Sequence, residues 1–253
     1  MIDIHCHILP ELDDGAADLR QALRMAEEAV AEGIHFVFAT PHHGTETYDN
    51  DAMTVYRAVS DFNRELVERG IPLHVMPGQE VRVHAALIDE ILSGVVLTLN
   101  DGPYLLMELP PTCIPPYMEE LLHELRVLRV VPIIAHPERH LDIGERMAQW
   151  VELGALGQVN AHSLLGLFGK RVQKNAFSLC RQNLVHFIAS DGHRPDFRPI
   201  RLQAAFQLVE GQLGEHYARR YRDNAQKLLD GESIDALLPV RPSRRWFVRW
   251  NGK

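Results

Sequence analysis

Residues 1–7 read Met-Ile-Asp-Ile-His-Cys-His, a short apolar run that ends in two histidines. Side chains two positions apart on a β-strand share a face, so His5 and His7 can both approach one metal ion. A short apolar run followed by a potential ligand or another polar residue recurs six more times, ending at 40–43, 78–80, Glu108, 136–139, Asn160 and 190–193. This repetition predicts parallel strands with polar carboxyl ends, the arrangement that barrel enzymes use for chemistry.

Segments of helix-favouring composition separate the apolar runs. The predicted helices cover residues 17–32, 54–69, 85–92, 117–129, 144–153 and 168–182, and residues 201–229 read as two helices broken near 211–214. The alternation of strand and helix predicts an α/β fold with a mostly parallel sheet. Seven strands suit a closed or nearly closed barrel. We expect one domain over residues 1–240, followed by a basic, aromatic tail over 241–253.

The histidines and carboxylates at the strand ends would converge on one rim of such a barrel. Asp13 and Asp14 follow the first strand, and spacing alone leaves open which of them faces the rim. Imidazole nitrogens and carboxylate oxygens together bind divalent transition metals. The remaining candidate ligands are His5, His7, His42, Glu80, Glu108, His136, Asp191 and His193. The sequence therefore predicts a cluster of divalent metal sites.

Net charge, cysteine content and the length of the apolar runs argue against several classes of protein. The formal net charge is -8 and the sequence pI is near 5.9, which argues against a nucleic-acid-binding protein. Three cysteines at no zinc-finger spacing argue against a disulfide scaffold and favour a reducing cytoplasm. No apolar run approaches the roughly 20 residues that a bilayer-spanning helix needs.

The cysteines also lack the motif of a thiolate phosphatase. Enzymes of that class use C-x5-R, in which arginine follows the cysteine by six positions. The residues at that position after the three cysteines of this chain are Leu12, Glu119 and His186. Strand alternation further predicts that Cys6 points away from the two histidines beside it.

The motifs resemble those of the PHP (polymerase and histidinol phosphatase) superfamily. Within it, the chain is most similar to the bacterial metal-dependent protein-tyrosine phosphatases of capsule and exopolysaccharide operons, the CpsB/YwqE type. The similar segments are residues 5–15, 40–43, 78–82, 134–139, 159–163 and 190–193, in the family's order. The extended first segment, the His-Pro-Glu-Arg segment and the Gly-Gln-Glu segment favour the phosphatase branch.

The resemblance implies the PHP fold, a distorted (β/α)7 TIM-like barrel with its metal site at the C-terminal ends of the strands. It also implies three divalent ions, expected to be manganese, with iron, zinc or magnesium as alternatives. The implied ligand sets are His5, His7, Glu80 and Asp191; Glu80, Glu108 and His136; and Asp14, His42 and His193. The choice of Asp14 over Asp13 rests on the resemblance. Arg139 and Arg198 are candidates for binding the substrate phosphate, because guanidinium matches phosphate oxygens, with a surface salt bridge as the alternative for each. His43 is a candidate general acid.

The implied reaction is hydrolysis of phosphotyrosine in proteins by a hydroxide that bridges two of the ions. The expected substrate is the tyrosine-rich tail of a bacterial tyrosine kinase that regulates polysaccharide export. Three alternatives stay open: a phosphatase for a small phosphoester such as histidinol phosphate, an amidohydrolase-type enzyme, and a non-enzymatic regulatory protein. A homo-oligomer is also open, with the helices at 17–32 and 54–69 as candidate contact surfaces. The tail is expected to pack against the barrel, and contact with a membrane surface or an acidic partner is the alternative.

Overall fold

A computed structural model describes residues 1–140 and 143–240 of the chain. The predicted basic tail, residues 241–253, lies outside the described residues. All strand pairs of the described part are parallel, as the alternating sequence pattern predicts. The strands are β1 (Ile2–Cys6), β2 (Phe36–Ala39), β3 (His42–His43), β4 (His74–Pro77), β5 (Glu80–Arg82), β6 (Tyr104–Glu108), β7 (Val131–Ala135), β8 (Leu156–Asn160) and β9 (Phe187–Ala189).

Each of the seven predicted apolar runs contains a strand, but the second and third runs are broken near their ends. The break between β2 and β3 includes Pro41, which has no backbone N–H to donate to a neighbouring strand. The break between β4 and β5 includes Gly78, and a side chain there would collide with Leu99. After the breaks, His42 pairs with Glu80 across β3 and β5, so both side chains enter the same rim.

The strands follow chain order around the sheet. One ladder runs β1-β2-β4 and the other β3-β5-β6-β7-β8-β9. The first and last strands meet at a short seam: a parallel bridge joins Cys6 to Gly192, and the Asp191 amide donates to the His5 carbonyl at 2.9 Å. Within the described residues the first and last strands meet only over this short stretch, in keeping with a distorted barrel.

A β-bulge in β1 turns its histidines toward the rim. The register against β2 slips between Asp3 and Cys6, where three positions of β1 oppose two of β2. A bulge of this kind places two successive side chains on one side of a strand. Ile4 packs in the inner core, and His5 contacts Gln158 of β8 across the ring. The bulge thus reconciles an apolar strand interior with a polar end.

All predicted helices are present. They are α1 (Leu19–Ala31), α2 (Ala52–Glu68), α3 (Leu87–Ser93), α4 (Met118–Val127), α5 (Gly144–Glu152), α7 (Lys170–Arg181), α8 (Leu202–Leu213) and α9 (Glu215–Leu229). One short helix that the sequence did not predict, α6 (Ala161–Leu164), follows β8 directly. Gly214 separates α8 from α9, inside the predicted break.

Two apolar layers support the rim. The inner one gathers strand residues such as Phe38, Leu106, Ile133 and Phe187, and α9 packs Leu228 against them. The outer one lies between the strands and the surrounding helices. Burial of each large side chain contributes about 1.5–3 kcal/mol, so these layers fix the strand ends relative to one another. No helix in the described ranges combines the length and apolar character that a membrane crossing requires.

Candidate metal centre

The nine predicted ligands all lie at the carboxyl ends of the strands. We call them the rim cluster: His5, His7, Asp14, His42, Glu80, Glu108, His136, Asp191 and His193. They come from strands or loops that are far apart in sequence, and the parallel ring brings them together. Their assignment as ligands stays a prediction, which the following distances support.

Glu80 lies at the centre of the rim cluster. Its Oε2 atom is 3.3 Å from His5 Nε2, 3.4 Å from His7 Nε2 and 3.1 Å from His42 Nδ1. Its Oε1 atom is 2.8 Å from His136 Nε2. Although three imidazole nitrogens surround it, the buried Oε2 makes no hydrogen bond within the described residues. The oxygen and the nitrogens therefore face a shared space, as ligands of a common cation do.

Asp191, which lies just after β9, contributes a buried carboxylate to the rim cluster. Its Oδ1 atom lies 3.5 Å from both His5 Nε2 and His7 Nε2, and 3.4 Å from His193 Nδ1. The carboxylate is buried, with 1% of the side chain exposed, so the cost of its charge must be offset by cationic partners. Imidazolium groups or metal ions can do this.

Glu108 occupies the far side of the cluster. Its Oε1 atom is 3.7 Å from His136 Nε2, and its Oε2 atom is 3.9 Å from His42 Nδ1. Arg82, which the sequence analysis did not single out, donates from Nε to Glu108 Oε2 at 2.7 Å. Arg82 therefore fixes the carboxylate in place while leaving one of its oxygens directed toward the cluster.

The two adjacent aspartates of the first loop have different roles. Asp14 Oδ1 lies 3.4 Å from His193 Nε2 and 3.6 Å from His42 Nε2. Asp13 faces the back of an imidazole, with Oδ2 2.6 Å from His7 Nδ1. The geometry thus agrees with Asp14 as the ligand and makes Asp13 the group that orients His7.

Three sets of side chains in the described ranges have ligand atoms within 4.8 Å of one another. The sets are His7, Asp14, His42 and His193; His5, His7 and Glu80; and His42, Glu80 and Glu108. They overlap the implied ligand sets, but His7 also joins Asp14, and His42 stands where His136 was expected. Mixed imidazole and carboxylate ligands suit manganese, iron or zinc, so the residues present fit divalent ions.

Two of the predicted ligands have a strained backbone. His136 has φ 34° and Asp191 has φ 50°, in the left-handed region that residues other than glycine rarely adopt. His136 directly follows β7, and Asp191 lies two residues after the end of β9. Such strain costs on the order of 1–3 kcal/mol and collects at functional sites. Here it turns a side chain from the strand direction into the cluster.

The charges in the cluster shift one another's pKa values. Burial would lower the pKa of His7, but the Asp13 carboxylate raises it well above its usual value. Burial would raise the pKa of Glu80, but the charges of His5 and His42 hold it well below its usual value. Without bound cations, these shifts favour an ionised Glu80 and a protonated His7. A bound metal ion would displace a proton from His7.

A chain of amides behind the cluster was not predicted. His5 Nδ1 lies 2.9 Å from Gln158 Oε1, an acceptor, which directs the free Nε2 toward the carboxylates. Gln158 donates to Asn160 at 2.9 Å, and Asn160 donates to Asp191 Oδ2. Such partners hold metal ligands in orientation. The signal in the sequence was two amides at alternate positions of a buried strand, 158 and 160.

The two predicted arginines lie beside Asp191. Arg198 donates from Nη1 to Asp191 Oδ2 at 2.8 Å, and its buried Nε makes no hydrogen bond within the described residues. Arg139 is freer: 41% of its side chain is exposed, and its Nη1 is 3.9 Å from Asp191 Oδ2. Phe168 lies beneath both guanidinium groups, with its ring centroid 5.3 Å from Arg198 Cζ and 5.7 Å from Arg139 Cζ.

His43 lies away from the rim cluster. Its Nε2 atom is 3.1 Å from Glu90 Oε2, and its Nδ1 atom is 3.2 Å from Asp49 Oδ1. This contact set is what alternation on β3 requires, because His42 faces the cluster. The geometry does not support the suggested general-acid role, and His43 takes no part in the function proposed below.

Cys6 also points away from the cluster, as strand alternation predicts. Its side chain is buried in the outer apolar layer, with Sγ 3.5 Å from the Gly192 carbonyl. Burial raises the pKa of the thiol well above its usual value, so the nucleophilic thiolate is disfavoured.

Sequence comparison identifies the family. The model of the family described as "Capsular polysaccharide synthesis, CpsB/CapC" matches residues 1–230. The chain belongs to the CpsB/CapC family. It is 39% identical over 248 residues to Tyrosine-protein phosphatase YwqE of Bacillus subtilis, covering 97% of this chain and 98% of the relative. It is 28% identical over 243 residues to Tyrosine-protein phosphatase CpsB of Streptococcus agalactiae, covering 92% and 100%.

Comparison with solved structures supports the same family. The chain matches a solved structure from a study of YwqE of Bacillus subtilis and CpsB of Streptococcus pneumoniae, described there as "unique metal-dependent tyrosine phosphatases". The TM-score is 0.93 at 39% identity, covering 96% of this chain and all of the other. A zinc-bound amidohydrolase matches with TM-score 0.54 at 12% identity, covering 92% of this chain and 85% of the other, a likeness of fold alone. These results confirm the predicted family and the parallel α/β fold.

Proposed function

We propose that this CpsB/CapC family protein hydrolyses phosphotyrosine in proteins, using divalent metal ions held by the rim cluster. The observation that carries the proposal is the convergence of nine imidazole and carboxylate groups around Glu80, beside two arginines. The names of the relatives support it, since YwqE and CpsB are tyrosine-protein phosphatases of nearly the same length. The absence of a C-x5-R motif in the full sequence also favours a metal-dependent route.

The residues around the cluster would have different roles in binding the substrate phosphate. Divalent ions held there would neutralise phosphate charge and supply a water that ionises near neutral pH. Arg139 is exposed enough to reach the phosphate oxygens of a substrate with its planar fork of donors. Arg198, anchored by Asp191, has an Nε beside the same space that makes no hydrogen bond in the described part of the chain. Asn160 holds Asp191 from behind.

The chemistry of the leaving group fits this set of residues. Tyrosine leaves as a phenolate whose conjugate acid has a pKa of about 10, a better leaving group than an alkoxide. A strong general acid is therefore less necessary than for an alkyl phosphate. This agrees with the position of His43, which is engaged by Glu90 and Asp49 outside the cluster.

We also propose the identity of the metal ion, the protein substrate and the cellular compartment. We propose three ions, with manganese as the expected metal, because the cluster mixes imidazole with carboxylate ligands. The proposed protein substrate is the tyrosine-rich tail of a bacterial tyrosine kinase, in keeping with the family's description in capsular polysaccharide synthesis. A cytoplasmic location is proposed from the sparse cysteines.

The proposal is tested by rates on two substrates. The protein is loaded with manganese, and its kcat/KM is measured for a phosphotyrosine peptide and for histidinol phosphate. We expect a clear preference for the peptide and loss of activity after chelation, with recovery when manganese is returned. Preference for histidinol phosphate would replace the proposed substrate, and full activity in a metal-depleted sample would overturn the metal mechanism.

A further inference from the structure

A cleft opens from the rim cluster on the side of Asp14 and His42. Its volume is about 620 Å³. Arg82 lines it together with these two residues, and the walls are two loops, residues 44–48 after β3 and residues 110–112 after β6. The cleft thus begins at predicted metal ligands and leads outward, away from Arg139 and Arg198, which approach Asp191 instead.

The first wall presents an aromatic ring held in a fixed turn. Thr45 Oγ1 accepts from the Tyr48 amide at 2.8 Å and donates to the Tyr48 carbonyl at 3.0 Å, while the Thr45 amide donates to the same carbonyl at 3.1 Å. The ring of Tyr48 lies nearly parallel to the His42 ring, at 13° and 6.1 Å between centroids. The turn therefore holds Tyr48 beside the cluster before any substrate arrives.

The opposite wall is rigid and apolar. Pro110 and Pro111 follow β6 by two and three residues, directly after the strand that carries Glu108. Their rings fix the backbone φ near −65° and leave no N–H groups to solvate. A flat apolar group can lie between these prolines and Tyr48 with little loss of conformational entropy in the protein.

We propose that Tyr48, opposed by Pro111, binds the phenyl ring of the phosphotyrosine substrate and thereby selects aryl over alkyl phosphates. This inference rests on the proposed function. A phosphotyrosine carries its phosphate at the end of a rigid ring, so a ring lying in the cleft would deliver the phosphate to the cluster. A phosphoserine has only one methylene before the oxygen and leaves the space beside Tyr48 empty.

Binding of two ligands tests the ring site directly. With manganese-loaded protein, dissociation constants of phenylphosphonate and inorganic phosphate are measured by calorimetry for wild type, Tyr48→Ala and Tyr48→Phe. Aromatic pairs contribute about 0.5–1.5 kcal/mol, so Tyr48→Ala should weaken phenylphosphonate about two- to tenfold. Phosphate binding should change by less than about twofold, because the phosphate itself does not reach the aromatic wall. Tyr48→Phe should restore phenylphosphonate affinity.

Kinetics and metal content complete the test. The kcat/KM of Tyr48→Ala should fall for a phosphotyrosine peptide by the same factor, with KM carrying the larger share. Metal content of each variant shows whether the contact between Tyr48 and His42 affects the ions. Equal weakening of both ligands, or no weakening of phenylphosphonate, would overturn the ring site. A wild-type protein that does not hydrolyse phosphotyrosine would refute the proposed function, while the two ligands would still decide the ring site.

Discussion

Replacing Asp13 by Asn tests how the cluster is held. The carboxylate of Asp13 accepts hydrogen bonds on both oxygens: Oδ2 faces His7 Nδ1 at 2.6 Å and the His42 amide at 3.0 Å, and Oδ1 accepts from the Gly15 amide at 2.8 Å. An asparagine has a single oxygen. One orientation of the amide therefore sets its NH2 group against the Gly15 amide, and the other sets it against His7 and His42.

The expected loss of metal affinity follows from the hydrogen bonds that asparagine cannot make. A buried donor left without an acceptor costs about 1–3 kcal/mol. His7 would also lose the anion that keeps a proton on Nδ1 and leaves Nε2 free for a metal ion. Residues that orient ligands typically change metal affinity by about 10- to 100-fold when replaced. We expect Asp13→Asn to raise the metal concentration for half-maximal activity by a factor in that range, with much of the activity recovered at saturating metal.

The assay is a metal titration of the depleted protein, read by calorimetry and by hydrolysis of a phosphotyrosine peptide. Asp61→Asn is the matched control, because 70% of that side chain is exposed and its partner is a surface arginine. The control should behave as wild type. If Asp13→Asn binds metal with wild-type affinity, His7 does not depend on Asp13 for its orientation, and the reasoning is wrong.

Three further outcomes are expected. Asp191→Asn should abolish turnover, while in metal-depleted samples its melting temperature stays close to that of wild type, since asparagine tolerates the left-handed backbone; retained turnover would show that Asp191 is not part of the site. Arg139→Ala should lower kcat/KM by about tenfold or more with unchanged metal content, because charged hydrogen bonds contribute about 1.5–3 kcal/mol; unchanged kinetics would contradict phosphate binding. Burial lowers the pKa of His186 to about 3. Its unfolded form takes up protons first as pH falls, so this residue should remove about 2 kcal/mol of unfolding free energy between pH 6.5 and 5. In urea unfolding, the fall of unfolding free energy with pH should be smaller in His186→Gln than in wild type by this amount; identical slopes would contradict it.

Much of the fold and of the site could be predicted because both follow simple periodicities. Apolar runs with polar ends located the strands, and parallel strands place their carboxyl ends on one rim. His5 with His7 and Asp191 with His193 could therefore be grouped before any distance was measured. The structure brings all nine residues of the rim cluster together.

Other details of the strands and of the site could not be predicted, because they depend on features that periodicity does not encode. The bulge in β1 and the breaks at Pro41 and Gly78 change which face a residue occupies. The roles of the Gln158 and Asn160 amides could be recognised only once β8 was placed two strands from β1, with β9 between them. The separation of Asp13 from Asp14 arises in a loop, where adjacent side chains follow no fixed alternation.

The short contact between β1 and the chain just after β9 lies beside the candidate metal centre. Metal binding there would also hold these two parts of the chain together. His5 belongs to this contact near the start of the chain, and Asp191 belongs to it much later in the chain, with their side chains 3.5 Å apart. An ion that both bind would join two residues that are far apart in the chain, and because such a site rarely exists in the unfolded chain, its binding free energy would favour the folded state. Ligation would then be linked to folding, so chelation should lower the melting temperature as well as the rate.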